Sequence, residues 1–412
     1  MKKLIVIFVL VAVLTSAIYA QELKFDGYVN TGLGVVATGD DDVDMFLKPF
    51  GADAEQNGYR FRLNGSYANE DKNAGVRFRF QSQSRLDQAG YFSIPYAYGW
   101  VNFMDNVFYL AGGIVDDGTW VTADWWINDD VGKGLGMLLK VTPVQGLDLG
   151  VGAYTISQQS GGNNNILNFQ GDLPNFASIT PKIKDAKYTL NGAFAVPDLL
   201  RVGASFRLKN KAGWDRSLAP TDDDTDYVYD GRHESSLLMA DVRLFAISGL
   251  TAVVAVSLDK LEEFSDTGNI VLSETFGYKL GDISLGLNAV QFLYNREDAY
   301  NPGLLFNLWG SMPFGKIVPR ADLVYFMGGS STVATGAYTW HRKGFANRAA
   351  AKDADQDYSV FSARPSVKFN LDNRTFIEVG DVINYDFASF EAFGGEKSRL
   401  SNVFYVDLKW SF

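Results

Sequence analysis

Apolar and polar residues alternate along most of the chain, and the last segment shows the pattern most clearly. Phe404, Val406, Leu408, Trp410 and Phe412 share one side of the alternation, and the residues between them share the other. A period of two predicts a β-strand with one apolar face and one more polar face. The pattern recurs and predicts eighteen strands, near 23–37, 58–69, 74–83, 95–104, 107–115, 134–142, 147–156, 186–196, 200–209, 236–245, 250–259, 270–280, 283–294, 303–312, 316–327, 359–371, 374–385 and 402–412.

The connections between these predicted strands alternate in length. Pairs such as Asp105-Asn106 and Gly281-Asp282 form tight turns, whereas every second connection is long and polar, as at 157–185 and 328–358. This alternation is typical of a transmembrane antiparallel up-and-down β-barrel, in which tight turns lie at one end and long loops at the other. We therefore predict an all-β fold of 16–18 strands, 18 by count, with sixteen applying if two marginal pairs belong to loops.

The two faces of each strand have different expected environments. The apolar face must meet lipid around the whole ring, and the polar face then lines a lumen. The alternative is a soluble β-sandwich, in which the apolar faces would point inward. No domain boundary interrupts the pattern, so residues 21–412 are predicted to form one barrel.

The first twenty residues have the features of a cleaved secretory signal. Lys2 and Lys3 precede an apolar run, and Ala20 is a small residue before the expected cut, with Ala17 as the alternative cleavage position. A membrane anchor is the other interpretation of residues 1–20. The signal and the strand pattern together predict a bacterial outer-membrane location, with membrane lipid as a partner.

Composition narrows the function classes further. The 412 residues include no cysteine, which excludes disulfides and thiolate sites, and the net charge of −11 argues against nucleic acid as a partner. Although 47% of the residues are hydrophobic, the mean hydropathy is only −0.06. This balance fits an alternation of apolar and polar residues better than long apolar blocks. The only histidines, His233 and His341, fall in predicted loops, so we expect no enzyme, no metal site and no cofactor.

Several segments resemble the strands of Gram-negative outer-membrane general (diffusion) porins. They are Glu22 to Leu33, Tyr59 to Ser66, Gly75 to Gln81, Ala97 to Phe103 with Phe108 to Gly113, and the C-terminal strand that ends in Phe412. The resemblance implies a water-filled channel for passive diffusion of ions and small hydrophilic solutes, sixteen strands and a homotrimer. It also implies that the barrel assembly machinery reads the C-terminal strand. The count of eighteen strands differs from the sixteen of this family and is similar to the strand number of sugar-selective porins.

The resemblance also implies a constriction. In porins the third long loop narrows the pore, and residues 116–133 occupy that place here. Its acidic residues would face four arginines that strand parity puts on the polar face of two paired strands, creating a transverse field. The acids are Asp116, Asp117 and Asp124, and the arginines are Arg60, Arg62, Arg77 and Arg79. The alternatives are an ordinary lumen lining, or a loop that lies over the mouth.

Three tryptophans in the same loop support a second hypothesis. Trp120, Trp125 and Trp126 have faces on which sugars stack, but tryptophan more often anchors a loop by burial, and we favour the anchor. A sugar-selective porin is therefore one alternative function, and a surface adhesin or structural outer-membrane protein is another. The predicted lumen is mixed in charge, so the sign of ion selectivity stays open.

Overall fold

The computed structural model describes residues 22–38, 43–46, 60–85, 88–116, 120–121, 134–154, 187–208, 236–264, 268–295, 303–328, 358–386 and 400–412. Nineteen strands make up nearly all of this part of the chain, with one 3-10 turn at Leu261–Glu263. In these ranges no helix is long and apolar enough to cross a membrane. The strands are β1 (Glu22–Thr38), β2 (Val43–Phe46), β3 (Arg60–Ala68), β4 (Ala74–Arg85), β5 (Gln88–Phe103), β6 (Phe108–Val115), β7 (Gly134–Val144), β8 (Leu147–Tyr154), β9 (Lys187–Val196), β10 (Leu200–Arg207), β11 (Leu237–Leu244), β12 (Leu250–Asp259), β13 (Asn269–Leu280), β14 (Ile283–Asn295), β15 (Gly303–Ser311), β16 (Ile317–Gly328), β17 (Tyr358–Asn370), β18 (Thr375–Asp386) and β19 (Leu400–Ser411).

Eighteen of these strands form one closed antiparallel ring. β1 pairs with β3 on one side and with β19 on the other, and each remaining barrel strand pairs with its neighbours in the chain. Among the described strands β2 pairs with β1 alone, along the same edge as β3, and it is not needed to close the ring. The predicted count of eighteen is therefore confirmed, and the sixteen strands implied by the general-porin resemblance are wrong.

The barrel exposes its apolar side chains on the outside and buries polar ones inside, which is the reverse of a soluble protein. On β19, Phe404 and Trp410 are 50% and 49% exposed, whereas Tyr405 and Asp407 between them are 2% and 3% exposed. The same alternation runs round the ring, with large apolar side chains outside and polar ones such as Asn191 and Glu378 buried inside. The predicted orientation of the faces is confirmed, and the soluble sandwich is wrong because its apolar faces would be buried.

Tight connections gather at one end of the barrel, which we call the short-turn end. They follow β3, β5, β7, β9, β11, β13, β15 and β17, and the pair Gly281-Asp282 is the shortest type among them. Gly281 has a φ of 59°, a left-handed conformation that glycine adopts without steric penalty. The connection lengths therefore distinguish the two ends of the barrel.

Two elements differ from the sequence prediction, each for an identifiable reason. β2 lies within residues 38–57, which were predicted to be one of the long polar connections. It forms because β1 is longer than β3, which leaves Gly34 to Ala37 open to pairing with Val43 to Phe46. β5 starts at Gln88 rather than near Pro95, because a register irregularity between Arg79 and Gln81 of the partner strand accommodates the proline.

The closing seam depends on the last residue of the chain. The Phe412 N–H donates to the Gly27 carbonyl at 3.0 Å, and the Gly27 N–H donates to the Phe412 carbonyl at 3.1 Å. The Phe412 ring stacks with Phe61 of β3 at 6.4 Å between centroids. A Cβ on Gly27 would lie 2.6 Å from Phe412 Cζ and would also meet the Arg62 carbonyl. The seam therefore requires a residue without a side chain at position 27.

We expect Gly27→Ala to destabilise the folded barrel by about 1–3 kcal/mol, because the added methyl overlaps the Phe412 ring and the neighbouring backbone. The matched control is Gly192→Ala, since nothing lies within 4 Å of a Cβ built there. Urea unfolding of the refolded protein in lipid vesicles measures the difference. Equal unfolding midpoints for the two variants would contradict this account of the seam.

A pH-dependent contribution to stability comes from the turn after β17. The backbone N–H groups of Arg374 and Thr375 donate to Asp372 Oδ1 at 2.6 and 2.7 Å, and these bonds lower the pKa of the carboxyl. A lowered folded-state pKa adds stability that is fully present above the unfolded-chain pKa of about 3.9 and is lost as the pH falls through the folded value.

We therefore expect Asp372→Ala to lower the urea concentration at the unfolding midpoint at neutral pH. The difference in midpoint between this variant and the parent should vanish in strong acid. Asp282→Ala, in another turn at the same end, is the comparison variant. A difference that persists unchanged below the folded pKa would show that the carboxylate is not its source.

Candidate functional site

A cavity of about 620 Å³ lies in the lumen near the short-turn end. Asn106, which belongs to the turn between β5 and β6, is part of its lining, so the cavity reaches that end of the barrel. Polar and aromatic side chains from the strand wall form most of its surface. The lining comprises Arg77, Trp100, Asn102, Asn106, Tyr109, Asp116, Trp120, Leu138, Lys140, Thr142, Asp148, Ala193 and Arg201.

Three described residues that follow β6 lie inside the barrel, and two of them line the cavity. We call these residues, Asp116, Trp120 and Val121, the inner segment. The backbone N–H of Trp120 donates to Ser205 Oγ at 2.8 Å, and Ser205 is fully buried on the lumen side of β10. The inner segment leaves β6 at Val115, and β10 lies four strands further round the ring. Trp120 therefore lies inside the barrel and is attached to its wall.

A glycine on β8 provides the seat for the Trp120 ring. A Cβ on Gly150 would lie 2.6 Å from Trp120 Cη2 and Cζ2. Lys140 Nζ lies over the same ring, 5.9 Å from its centroid, a distance at which a cation is attracted to the aromatic face. Trp120 thus packs against the wall with part of its surface open to the cavity.

Arg201 connects the inner segment to a buried carboxylate. Its Nη2 donates to the Trp120 carbonyl at 2.6 Å, and its Nη1 lies 3.5 Å from Asp241 Oδ1, whose side chain is fully buried. Gly203 makes room for this arrangement, because a Cβ there would lie 2.5 Å from Asp241 Oδ1 and 2.6 Å from the Trp120 carbonyl oxygen. The guanidinium therefore holds the segment while it presents positive charge to the cavity.

The charges that line the cavity are three basic and two acidic side chains. Lys140 Nζ lies 2.8 Å from Asp148 Oδ2, and the Thr142 hydroxyl donates to the other oxygen of the same carboxylate. Asp148 is thus occupied by groups of its own wall. Asp241, behind Arg201, is a third carboxylate at this cavity, although it is not part of the lining.

The arginines of β3 and β4 continue the basic surface along the wall. Arg62 Nε donates to Gln81 Oε1 at 3.3 Å, and its guanidinium lies 5.1 Å from the Tyr28 ring centroid. Arg79 Nε donates to Asn64 Oδ1 at 2.8 Å and lies 4.8 Å from the Tyr96 centroid. Neutral groups of the wall therefore help to position both cations.

Basic side chains rest on aromatic rings elsewhere near the short-turn end. Arg320 lies 4.6 Å from the Trp309 centroid and also forms a two-point ion pair with Asp322, with both N···O distances at 2.7 Å. Lys368 lies 4.4 Å from the Phe376 centroid. Contact with a ring holds each cation against the wall.

The structure brings together only part of the residue set predicted from sequence. Arg77, Asp116 and Trp120 line one cavity, and Arg62 and Arg79 lie further along the same wall. Arg60 lies on β3, although its side chain is outside the described part. The remaining predicted residues, Asp117, Asp124, Trp125, Trp126, His233 and His341, also lie outside the described residues.

The cavity also contains residues that the sequence analysis did not single out for a role. Lys140 alternates with Leu139 and Val141 on β7, so its parity already indicated the lumen. Trp100 and Tyr109 stack at 6.3 Å between centroids, with an interplanar angle of 23°. Their inward direction was harder to predict, because aromatic residues are also expected on the lipid face.

No family model matches the chain, and neither does any curated protein. Solved structures of similar fold include three proteins of Pseudomonas aeruginosa. OccK2 (OpdF) aligns with a TM-score of 0.55 at 8% identity, covering 96% of this chain and 98% of that one. The outer membrane protein OpdK aligns at 0.52 and 9%, covering 96% and 100%, and OprD at 0.51 and 11%, covering 95% and 96%. At these identities, the likeness establishes a shared barrel fold.

We expect Gly150→Leu to lower the single-channel conductance, because the new side chain takes the place of the Trp120 ring and displaces it toward the lumen axis. Gly192→Leu on β9 is the matched control, since a side chain at that glycine meets no atom within 4 Å at its Cβ. Planar-bilayer recordings of both variants measure the effect. Equal conductance in both variants would contradict the described seat.

Proposed function

We propose that this protein is an outer-membrane porin, a water-filled channel through which ions and small hydrophilic solutes diffuse passively, with a preference for anions at its short-turn end. The observation that carries the proposal is the polarity of the barrel. An apolar exterior needs lipid, and a closed ring with charged side chains such as Arg77 and Arg201 inside gives solutes a polar passage.

The proposed location is the bacterial outer membrane. Closed antiparallel barrels with an apolar outer band and short turns at one end belong to this type of membrane protein. The predicted signal at residues 1–20 and the similarity in fold to OpdK, described as an outer membrane protein, support the same location. The role needs no catalysis and no cofactor.

The proposed anion preference rests on the arginines of the paired strands β3 and β4, Arg62, Arg77 and Arg79. Lys140 and Arg201 contribute less, because each lies beside a carboxylate of the wall. In a confined lumen the potential of such side chains is less screened than on an open surface, so anions concentrate near them.

Acidic sugars are the second candidate for the transported solutes. The cavity places the stacked pair Trp100 and Tyr109, together with Trp120, beside the basic side chains. Aromatic faces suit the apolar faces of sugar rings, and a nearby cation suits a carboxylate. OccK2 (OpdF) has been solved in complex with glucuronate, which makes that compound a suitable probe. Block of the current by glucuronate but not by glucose would favour this candidate.

The proposed partners follow from the same role. Lipid surrounds the barrel, and the terminal strand that ends at Phe412 is the segment proposed to be read by the barrel assembly machinery. The homotrimer implied by the porin resemblance remains part of the proposal. A surface adhesin stays the alternative role, and a folded barrel without conductance would favour it.

We expect the refolded protein to give stable current steps in a planar bilayer, with a reversal potential of the sign for anions under a salt gradient. Arg77→Gln should move this potential toward zero, and more strongly at 0.1 M than at 1 M salt, since the Debye length falls from about 10 Å to about 3 Å. Arg374→Gln, which removes the same charge in an exposed turn, is the control.

A reversal potential of the opposite sign would contradict the anion preference but leave the channel intact. A folded barrel that gives no current steps would contradict the proposed function itself.

A further inference from the structure

Trp120 lies along a single row of positions on the lumen side of the wall. Lys140 of β7 lies opposite Gly150 of β8, and Gly150 lies opposite Asn191 of β9. Asn191 in turn lies opposite Ser205 of β10. The backbone N–H of Trp120 is bonded to Ser205, and its ring occupies the hollow over Gly150. Because Asn191 lies between these two contacts, the Trp120 side chain passes over it.

The side chain of Asn191 is polar, buried and unmatched within the described part of the chain. It is 6% exposed, and neither Nδ2 nor Oδ1 has a hydrogen-bond partner there. Thr189, the next lumen-facing residue of β9, is 1% exposed, and its Oγ1 has no partner in the same ranges. An amide buried in this way is unfavourable, because it has given up its hydrogen bonds to water without replacing them. The position of the ring over Asn191 therefore carries a free-energy penalty.

Trp120 is held by its backbone more firmly than by its ring. Ser205 accepts the Trp120 N–H at 2.8 Å, and Arg201 Nη2 donates to the Trp120 carbonyl at 2.6 Å. The ring itself lies over Gly150, which has no side chain to interlock with it. Lys140 Nζ lies 5.9 Å from the ring centroid, near the upper limit of about 6 Å for attraction between a cation and a ring. Rotation of the side chain can therefore move the ring while both backbone contacts remain.

Space for this rotation lies beside the ring. Trp120 lines the 620 Å³ cavity, and so does Ala193, which is two positions from Asn191 on the same face of β9. Asn191 itself is not part of the lining. The ring thus separates the amide from the cavity. When the ring turns into the cavity, water gains access to the amide and supplies the missing hydrogen bonds.

We propose that the Trp120 ring is a pivoting cover with two positions, one docked on the wall over Asn191 and one turned into the cavity. The proposal rests on the channel function given above. The docked position leaves the passage wide and the amide without water, whereas the turned position hydrates the amide and narrows the passage. A minor position of this kind is occupied for about 0.1–10% of the time. The channel therefore has a main current level and a rarer, lower level.

Asn191→Leu tests the role of the amide. Leucine has a similar size, forms no hydrogen bond with water and contacts the ring favourably, so the docked position gains. We expect the fraction of time at the lower current level to fall about fivefold or more in planar-bilayer recordings, which corresponds to the low end of the usual cost of an unmatched buried amide.

The matched control is Asn307→Leu. Asn307 is also a buried asparagine of the barrel, and its Oδ1 has no partner in the described ranges, but it lies on β15, five strands from β10. We expect this variant to keep the parental fraction of time at the lower level. Trp120→Ala, which removes the cover, should give the main level alone.

Thiol chemistry tests the cover independently of current, because the parent chain contains no cysteine. In Asn191→Cys, refolded in lipid vesicles, the thiol is reachable only while the ring is turned away. We expect a charged, water-soluble thiol reagent to modify Trp120→Ala/Asn191→Cys at least about tenfold faster than Asn191→Cys, since the turned position is occupied for at most about 10% of the time. Mass spectrometry measures both rates. Ala193→Cys, which lines the cavity, should react equally fast with and without the ring.

Four results would overturn the proposal. They are a single current level in the parent, a lower level that survives in Trp120→Ala, an equal change in Asn191→Leu and Asn307→Leu, or equal reaction rates of the Asn191→Cys thiol with and without the ring. A folded barrel without any current would contradict the proposed channel function instead, and the thiol rates would still decide whether the ring covers Asn191.

Discussion

Every feature of this protein depends on the need to satisfy backbone hydrogen bonds where no water is available. An open sheet in lipid would expose two rows of unpaired N–H and C=O groups, so the first and last strands must pair. That pairing brings Phe412 onto Gly27 and closes eighteen strands into a ring. Closure then fixes the polarity, because a ring of alternating strands has one face for lipid and one face for a lumen.

The lumen is shaped by the positions where side chains are missing as much as by those that carry charge. Gly150 receives the Trp120 ring, and Gly203 leaves space for Arg201 to reach both the inner segment and Asp241. Without these two glycines the same tryptophan and arginine would compete for space near the axis. The cavity is therefore a consequence of small residues at lumen-facing positions.

The sequence was sufficient for the strand number, the strand faces and the short-turn end, because all three follow from local periodicity and connection length. β2 was not predictable in this way, since it forms only where β1 extends past β3. The contact of Trp120 with β10 was also out of reach, because it joins residues brought near each other by closure of the ring.

The central claim is that the polar face of the barrel wall lines a water-filled conduction path, while the opposite, apolar face contacts lipid. Ala193 lines the cavity, and Phe194 beside it is 47% exposed on the outer surface. The most direct measurement is the current through Ala193→Cys and Phe194→Cys channels during exposure to a charged, water-soluble thiol reagent. The account predicts a stepwise change in current for Ala193→Cys alone. A change for Phe194→Cys, with none for Ala193→Cys, would contradict it.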